Sequence, residues 1–187
     1  MIPDFNQGGF SDFTISRQLQ QALSYGNDSE PLTIIGSSLG GWAALLLAQQ
    51  YPQVEKLVLM APAFGFPQLW LERLGTEVLQ NWQESGTMPV YHHAEQQEVP
   101  LSYQFVTNAQ QYLSSNLERN LPTLILHGHN DAVVPIKLSR NFAQHHAWVH
   151  LIELNSDHGL GNVLDPIWQE IAQFCDLTVA ASPSPLD

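Results

Sequence analysis

Five residues, Gly36-Ser37-Ser38-Leu39-Gly40, have the types and the spacing that can make a serine into a nucleophile. They form the pattern G-x-S-x-G between an apolar run typical of a strand, residues 32–35, and a run typical of a helix, residues 42–50. A sharp strand-to-helix turn of this kind exposes the hydroxyl of its central serine. We therefore predict that Ser38 is a nucleophile. The alternative is a serine that only shapes a turn.

A serine hydroxyl needs a base to take its proton and a third group to orient that base. Asp131 comes after the apolar run 124–126, and His158 comes after the apolar run 149–154. Because the carboxyl ends of parallel strands meet at one edge of a sheet, both side chains are expected to reach Ser38. The order Ser, Asp, His is also the one expected for a serine on such a turn. An ordinary turn or helix-cap aspartate is the alternative for Asp131.

Two neighbouring residues compete for these roles. Asp157 is a rival acid beside His158, but adjacent side chains on one backbone seldom point at each other. Ser37 occupies the variable position of the motif and is expected to point away from the cleft. The pattern therefore favours Asp131 and Ser38.

Other histidines raise the question of a metal. His127 and His129 are two residues apart, a spacing that on an extended strand puts both rings on one face. No third ligand follows at a matching spacing, so no metal site is predicted. The pairs His92-His93 and His145-His146 have the pattern of exposed helix or loop residues. A serine, histidine and aspartate relay needs no cofactor, and none is predicted.

The elements that must position these residues alternate between strand-like and helix-like runs. Strands are predicted at 32–36, 54–61, 121–127 and 149–154, and helices at 14–25, 42–50, 135–146 and 166–175. The first of these strands is predicted to be buried. Such alternation implies a parallel sheet with helices on both faces.

The alternation stops between residues 64 and 120, where aromatic residues stand among helical patterns and turns. These aromatic side chains either form hydrophobic core or line a pocket over the serine. We predict a single α/β domain over residues 1–178, with residues 64–120 as a cap insertion. Residues 179–187, rich in turn formers, are predicted to be a flexible tail.

Composition limits the classes of partner and location. The 187 residues suffice for one domain. A net charge of −12 argues against a nucleic-acid partner, which requires clustered Lys and Arg. No apolar run approaches the roughly 18 residues of a membrane span. The first residues lack a secretory signal pattern, and the single cysteine, Cys175, cannot form an internal disulfide, so a cytoplasmic location is expected. The oligomeric state is not indicated.

Taken together, these residues resemble the α/β-hydrolase superfamily, in particular its small bacterial esterases. In the resemblance, residues 2–9 correspond to the fourth strand and its loop, 32–41 to the fifth strand and nucleophile turn, and 54–62 to the sixth strand. It implies a mostly parallel sheet with helices on both faces and a small helical cap. It also implies that Ser38, His158 and Asp131 hydrolyse carboxylic esters through an acyl-enzyme, while the backbone N–H of Leu39 faces the oxyanion.

The sequence departs from the family pattern at its start. The family has a His-Gly segment after its third strand, and a backbone N–H there forms half of the oxyanion hole. This chain is expected to start after that segment, as a fragment or through a misassigned start. The alternatives are a shortened variant that borrows a donor from the Gly8-Gly9 loop, or a folded relic with little catalysis. The strand at 2–5 is expected to pair beside residues 32–36 or to leave an open sheet edge.

The predicted function is hydrolysis of a small-molecule carboxylic ester. A thioesterase or acyltransferase with the same three residues is an alternative from the same class. A non-catalytic protein that keeps the fold is an alternative from another class.

Overall fold

The structure, a computed structural model, describes residues 9–25, 30–92, 96–113 and 119–177. Four parallel strands form its main sheet. They are β1 (Leu32–Ser37), β2 (Val54–Met60), β5 (Thr123–Gly128) and β6 (Val149–Leu154), in the order β1-β2-β5-β6. Between β2 and β5 lies a hairpin of two antiparallel strands, β3 (Thr87–His92) and β4 (Gln97–Ser102).

Seven α-helices and one short 3-10 helix, Phe10–Asp12, accompany the strands in the described part of the chain. The helices are α1 (Ile15–Leu23), α2 (Leu39–Gln50), α3 (Gln68–Leu74), α4 (Thr76–Ser85), α5 (Gln104–Gln110), α6 (Lys137–His145) and α7 (Leu164–Phe174). None of them is long and apolar enough to cross a membrane.

The predicted parallel sheet with helices on both faces is confirmed. Leu57 and Leu59 of β2 pack with α2, while Val58, which points to the opposite face, packs with Ile167 and Ile171 of α7. Successive residues of a strand point to opposite faces, so one apolar run supplies both layers of core. Burying each of these aliphatic side chains contributes about 1.5–3 kcal/mol.

The boundaries of the predicted elements differ from the observed ones by a few residues. β5 begins at Thr123, after Pro122, since proline has no N–H to give to a neighbouring strand. α7 begins at Leu164, two residues before Pro166, because proline is tolerated in the first turn of a helix.

The prediction that the first strand is buried is wrong for one of its faces. In the described residues, β1 is one of the two edge strands of the main sheet, and Ile35 is 50% exposed. Its apolar composition is typical of a central strand, which has a neighbouring strand along each edge. In the described residues, only β2 pairs with it. The strand expected at residues 2–5 lies outside the described residues, as does the tail predicted at residues 179–187.

Residues 64–120 contain α3, α4 and α5, as the helical patterns predict, and also the β3–β4 hairpin, which they do not. Pro89 and Pro100 face each other in this hairpin, and a proline within a run normally argues against a strand. Exposed and partly buried residues alternate along β3, which places one face of the hairpin on the core. Trp82 of α4 is 1% exposed and donates its Nε1–H to the carbonyl of Leu101 at 2.9 Å.

Candidate functional site

The backbone between β1 and α2 makes the sharp turn that the glycine pattern predicts. Ser38 has φ 51° and ψ −119°, a conformation that residues with a side chain rarely adopt. Its N–H donates to the carbonyl of Met60 at 2.9 Å, and its carbonyl accepts from the N–H groups of Gly41 and Ala63, both at 3.0 Å. These bonds to the neighbouring strand and the following loop hold the strained residue in place.

The side chains of Ser38, His158 and Asp131 form one hydrogen-bonded series. The Nε2 atom of His158 lies 3.0 Å from the Oγ atom of Ser38, and its Nδ1 atom lies 2.7 Å from the Oδ2 atom of Asp131. An ionised carboxylate only accepts, so the proton of the neutral ring is on Nδ1, and Nε2 is free to accept the serine proton. The three residues come from loops after β1, β5 and β6, at the carboxyl edge of the sheet.

The carboxylate of Asp131 is buried and fully hydrogen-bonded. Its Oδ1 atom accepts the N–H groups of Val133 at 2.8 Å and Val134 at 2.7 Å. Burial pushes the pKa of Asp131 upward, but the hydrogen bonds from His158 and from these two N–H groups outweigh it. The pKa of the Asp131 carboxyl therefore lies below its ordinary value, and the group is ionised at neutral pH.

His127 also contacts Asp131, a contact that sequence reasoning missed. Its ring is 0% exposed, with Nδ1 2.7 Å from Ser139 Oγ and Nε2 3.0 Å from the carbonyl oxygen of Val134. Nε2 is also 3.1 Å from Asp131 Oδ2. Because the carbonyl oxygen of Val134 only accepts, Nε2 carries the proton and donates it to that oxygen, with Asp131 Oδ2 close by. The only signal in the sequence is a histidine four residues before the aspartate, at the end of an apolar strand.

His127 and His129 do not share a face, because β5 ends at Gly128. His129 is exposed, and its Nε2 atom lies 2.8 Å from Glu153. In the described ranges, no group of three or more His, Cys, Asp or Glu side chains is arranged to hold a metal ion. His145 and His146, at the end of α6, each donate an Nδ1–H, to the carbonyls of Asn141 and Phe142 respectively. His93 lies outside the described residues.

The rival residues make other contacts. Asp157 is exposed and accepts the N–H of Gly159 at 3.0 Å. Ser37 is exposed on β1 and does not line the cavity beside Ser38.

The N–H of Leu39 is the first of helix α2, where backbone N–H groups have no partner within the helix. No oxygen atom of the described residues accepts it. The partial positive charge of a helix N-terminus favours an oxyanion at this position. The sequence offered the Gly8-Gly9 loop as the source of a second donor. Of these two glycines, only Gly9 is among the described residues.

A cavity of about 390 Å³ opens beside Ser38 and Leu39. Its walls come from the turn after β1, from the residues after β2 and Asp131, and from the segment between residues 64 and 105. The sequence left open whether the aromatic side chains of this segment form core or line a pocket. Some of them lie in the core and some line the cavity. The lining residues are Phe10, Phe13, Ser38, Leu39, Ala63, Phe64, Phe66, Leu69, Trp70, Arg73, Val90, Leu101, Phe105, Val133 and Val134.

Solved structures with similar folds include two that are named as hydrolases. A candidate hydrolase from Agrobacterium vitis S4 is 26% identical over 89% of this chain and 70% of its own, with a TM-score of 0.75. Alpha/beta hydrolase domain-containing protein 10 from mouse is 25% identical over 90% of this chain and 72% of its own, with a TM-score of 0.73. Est1E from Butyrivibrio proteoclasticus is 19% identical over 88% and 70%, with a TM-score of 0.68, and shares the fold.

These similarities confirm the predicted α/β-hydrolase fold, and fold and names together indicate a hydrolase. No curated protein sequence matches this chain significantly. Residues 1–175 match the family described as Uncharacterised protein family (UPF0227), so the chain belongs to that family within the α/β-hydrolase superfamily.

Proposed function

We propose that this protein is a serine hydrolase that cleaves carboxylic esters, with Ser38 as its nucleophile. The observation that carries the proposal is the unbroken hydrogen-bonded series from Ser38 Oγ through His158 to Asp131, at 3.0 Å and 2.7 Å. A second support is the strained backbone of Ser38, since such strain is characteristic of nucleophile turns.

The reaction proceeds through an acyl-enzyme. Ser38 Oγ attacks the ester carbonyl while His158 Nε2 accepts its proton, and the resulting oxyanion faces the Leu39 N–H. His158 then gives that proton to the departing alcohol. A water molecule, deprotonated by His158, attacks the acyl carbonyl and releases the carboxylic acid, which regenerates the Ser38 hydroxyl. Asp131 stabilises the imidazolium in both steps and stays ionised, and no cofactor takes part.

The cavity favours a small-molecule ester with an apolar group. Aromatic and aliphatic side chains such as Phe66 and Phe105 form most of its walls. Burial of apolar substrate surface there supplies binding energy at about 25 cal/mol per Å². An oxygen ester also has a better leaving group than an amide.

Labelling with a fluorophosphonate probe tests the nucleophile. Such a probe reacts with a serine only when a base activates it. The wild-type protein is expected to be labelled, and Ser38→Ala is expected to lose the label completely. Ser37→Ala is the matched control, because it removes the neighbouring hydroxyl, and it should be labelled like the wild type.

Two outcomes would contradict the proposal. A label that persists in Ser38→Ala would show that another residue reacts. A wild-type protein that is correctly folded but unlabelled, with no ester turnover, would favour a non-catalytic protein. Faster cleavage of a thioester than of its matched oxygen ester would instead favour a thioesterase with the same residues.

A further inference from the structure

The cavity beside Ser38 contains one charged side chain, Arg73. Apart from Ser38 and Arg73, every described residue that lines this cavity is apolar. Among the described residues that line the cavity, a guanidinium group is the one side chain that can form an ion pair with a charged part of a ligand. Arg73 is therefore the residue of the cavity most able to select among substrates.

Arg73 lies at the mouth of the cavity. It is an exposed residue in the last turn of α3, and its Nη1–H donates to the carbonyl of Val133, which is itself 52% exposed. Phe105, at 4% exposure, belongs to the inner wall. A ligand that fills the cavity would place its apolar part against such inner residues and its other end near Arg73.

No carboxylate of the described residues forms an ion pair with Arg73. Its sequence neighbour Glu72 instead accepts a hydrogen bond from Gln68 at 2.8 Å. A guanidinium group has five N–H donors, and the Val133 carbonyl accepts one of them. The charge and the remaining donors are available to a ligand.

The bond to Val133 has a purely structural explanation, since it joins α3 to the loop that follows Asp131. The positive charge is also favourable in the last turn of α3, where the helix dipole attracts a cation. Neither role uses the remaining N–H donors of the guanidinium group. The chain has only six Lys and Arg residues against eighteen Asp and Glu. A cation at the mouth of this cavity, with no ion-pair partner among the described residues of such an acidic protein, favours an anionic ligand.

We propose that Arg73 binds a carboxylate of the substrate, so that the ester cleaved at Ser38 is an anionic one with an apolar body. The planar guanidinium matches the two oxygens of a carboxylate in a bidentate pair. This inference rests on the proposed hydrolase function. It adds the charge of the substrate and names the residue that selects it.

Matched esters test the proposal on the acyl side and on the alcohol side. The acyl pair is the para-nitrophenyl monoester of suberic acid and the same ester with a primary carboxamide in place of the carboxylate. The alcohol pair is the butyryl ester of para-hydroxybenzoate and that of its carboxamide. In at least one pair, the wild-type kcat/KM is expected to be roughly tenfold or more higher for the carboxylate.

Variants of Arg73 identify the source of that preference. Arg73→Gln should abolish the ratio of kcat/KM between the carboxylate and the carboxamide within a pair, and Arg73→Lys should keep part of that ratio. Lys56→Gln is the matched control for net charge. Lys56 pairs with Asp176 near the amino end of β2, away from the site, and this variant should keep the preference.

Binding to Ser38→Ala, measured by calorimetry, repeats the comparison without turnover. Equal kcat/KM and equal affinity within both pairs would overturn the role of Arg73, as would a preference that survives Arg73→Gln. These results are distinct from failure of the proposed function, in which none of the esters would be cleaved by the wild type. The binding comparison would still decide the role of Arg73 in that case.

Discussion

Four nitrogen atoms lie close to the carboxylate of Asp131, two at each oxygen atom. Oδ1 is held by two backbone N–H groups, which fix the loop, and Oδ2 faces the rings of His158 and His127. A carboxylate so held can stabilise an imidazolium without moving, and such preorganisation is a large part of catalytic electrostatics.

Replacing Asp131 tests its proposed role. In Asp131→Asn, the amide can donate to His158 Nδ1, which favours the tautomer in which Nε2 no longer accepts the serine proton. The expected result is a fall in kcat of about 10⁴-fold, measured as ester hydrolysis. Asp157→Asn is the control and should remain within a few-fold of the wild type, because in the described residues the Asp157 side chain accepts the N–H of Gly159 and the His158 ring contacts Asp131 instead. The reverse pattern would make Asp157 the functional acid.

His127 should affect turnover through Asp131. In His127→Phe, the N–H group that lies beside Asp131 Oδ2 is lost while a ring of similar size remains. We expect kcat to fall by roughly threefold to tenfold, because the buried carboxylate loses a nearby N–H dipole, with little change in KM. Steady-state kinetics on a neutral ester measure both constants. An unchanged kcat would show that the contact at 3.1 Å is structural only.

Ser139→Ala tests the other contact of the His127 ring, the one at Nδ1. This buried hydroxyl in α6 meets Nδ1 of His127 at 2.7 Å and does not touch Asp131. The variant should lose about 1–3 kcal/mol of stability, because the ring nitrogen loses its partner. Its kcat should fall less than that of His127→Phe.

The turn between β1 and α2 shows that the two glycines of the motif are not equivalent. A Cβ atom on Gly36 would lie 2.4 Å from the carbonyl oxygen of Gly40, closer than any real contact, whereas a Cβ atom on Gly40 would meet nothing within 4 Å. The first glycine lets the strand and the helix approach each other. Gly40, the second glycine, has room for a side chain.

Alanine substitutions therefore have opposite expected outcomes at these positions. Gly36→Ala should lower the free energy of unfolding by about 1–3 kcal/mol and abolish fluorophosphonate labelling, since the backbone must shift. Gly40→Ala should leave labelling intact and raise stability by up to about 1 kcal/mol, because alanine is the better helix former. Urea denaturation gives the free energies. Equal tolerance at both positions would contradict the geometry of the turn.

The cap segment also shows how tertiary contacts override local signals. Pro89 and Pro100 disfavour strands locally, but they face each other across the hairpin, whose inner side packs on the aromatic cluster around Trp82. Packing of this kind decides structure where propensity is weak. The hairpin is for that reason absent from predictions based on sequence patterns.

Arg119 links distant parts of the molecule as the chain returns from the cap to the sheet. Its Nη1 atom donates to the carbonyls of Ala48 at 2.6 Å and Tyr51 at 2.9 Å, and its Nη2 atom donates to that of Val54 at 2.9 Å. The Ala48 carbonyl lies in the last turn of α2, where carbonyls have no partner within the helix and a positive charge is favourable.

Removal of the Arg119 guanidinium group should destabilise the whole molecule. In Arg119→Met, several carbonyls lose a charged donor, and we expect a loss of about 2–4 kcal/mol, given that hydrogen bonds to charged groups contribute about 1.5–3 kcal/mol each and partial exposure reduces their sum. Arg119→Lys should recover only part of it, because a single ammonium cannot reach all the oxygens. Thermal and urea unfolding measure the change. A loss below about 0.5 kcal/mol would contradict this account.

We propose that residues 1–178 act as one domain, with residues 64–120 as its cap. The support is that residues of the cap segment, such as Phe66 and Trp82, pack in one core with Trp42 of α2. Limited proteolysis tests the proposal, since a cap that folds separately would be released intact. The flexible tail at residues 179–187 remains a prediction, since these residues lie outside the described ranges.

The alternation of apolar runs and the glycine pattern around Ser38 were sufficient to predict the parallel sheet, the turn and the three candidate side chains. Such signals are local, and a parallel sheet brings the ends of its strands together whatever lies between them. The contact of His127 with Asp131, the hairpin, the exposed face of β1 and the place of Arg73 in the cavity could not be predicted in this way. Each depends on which distant segments pack against each other, and no short stretch of sequence encodes that.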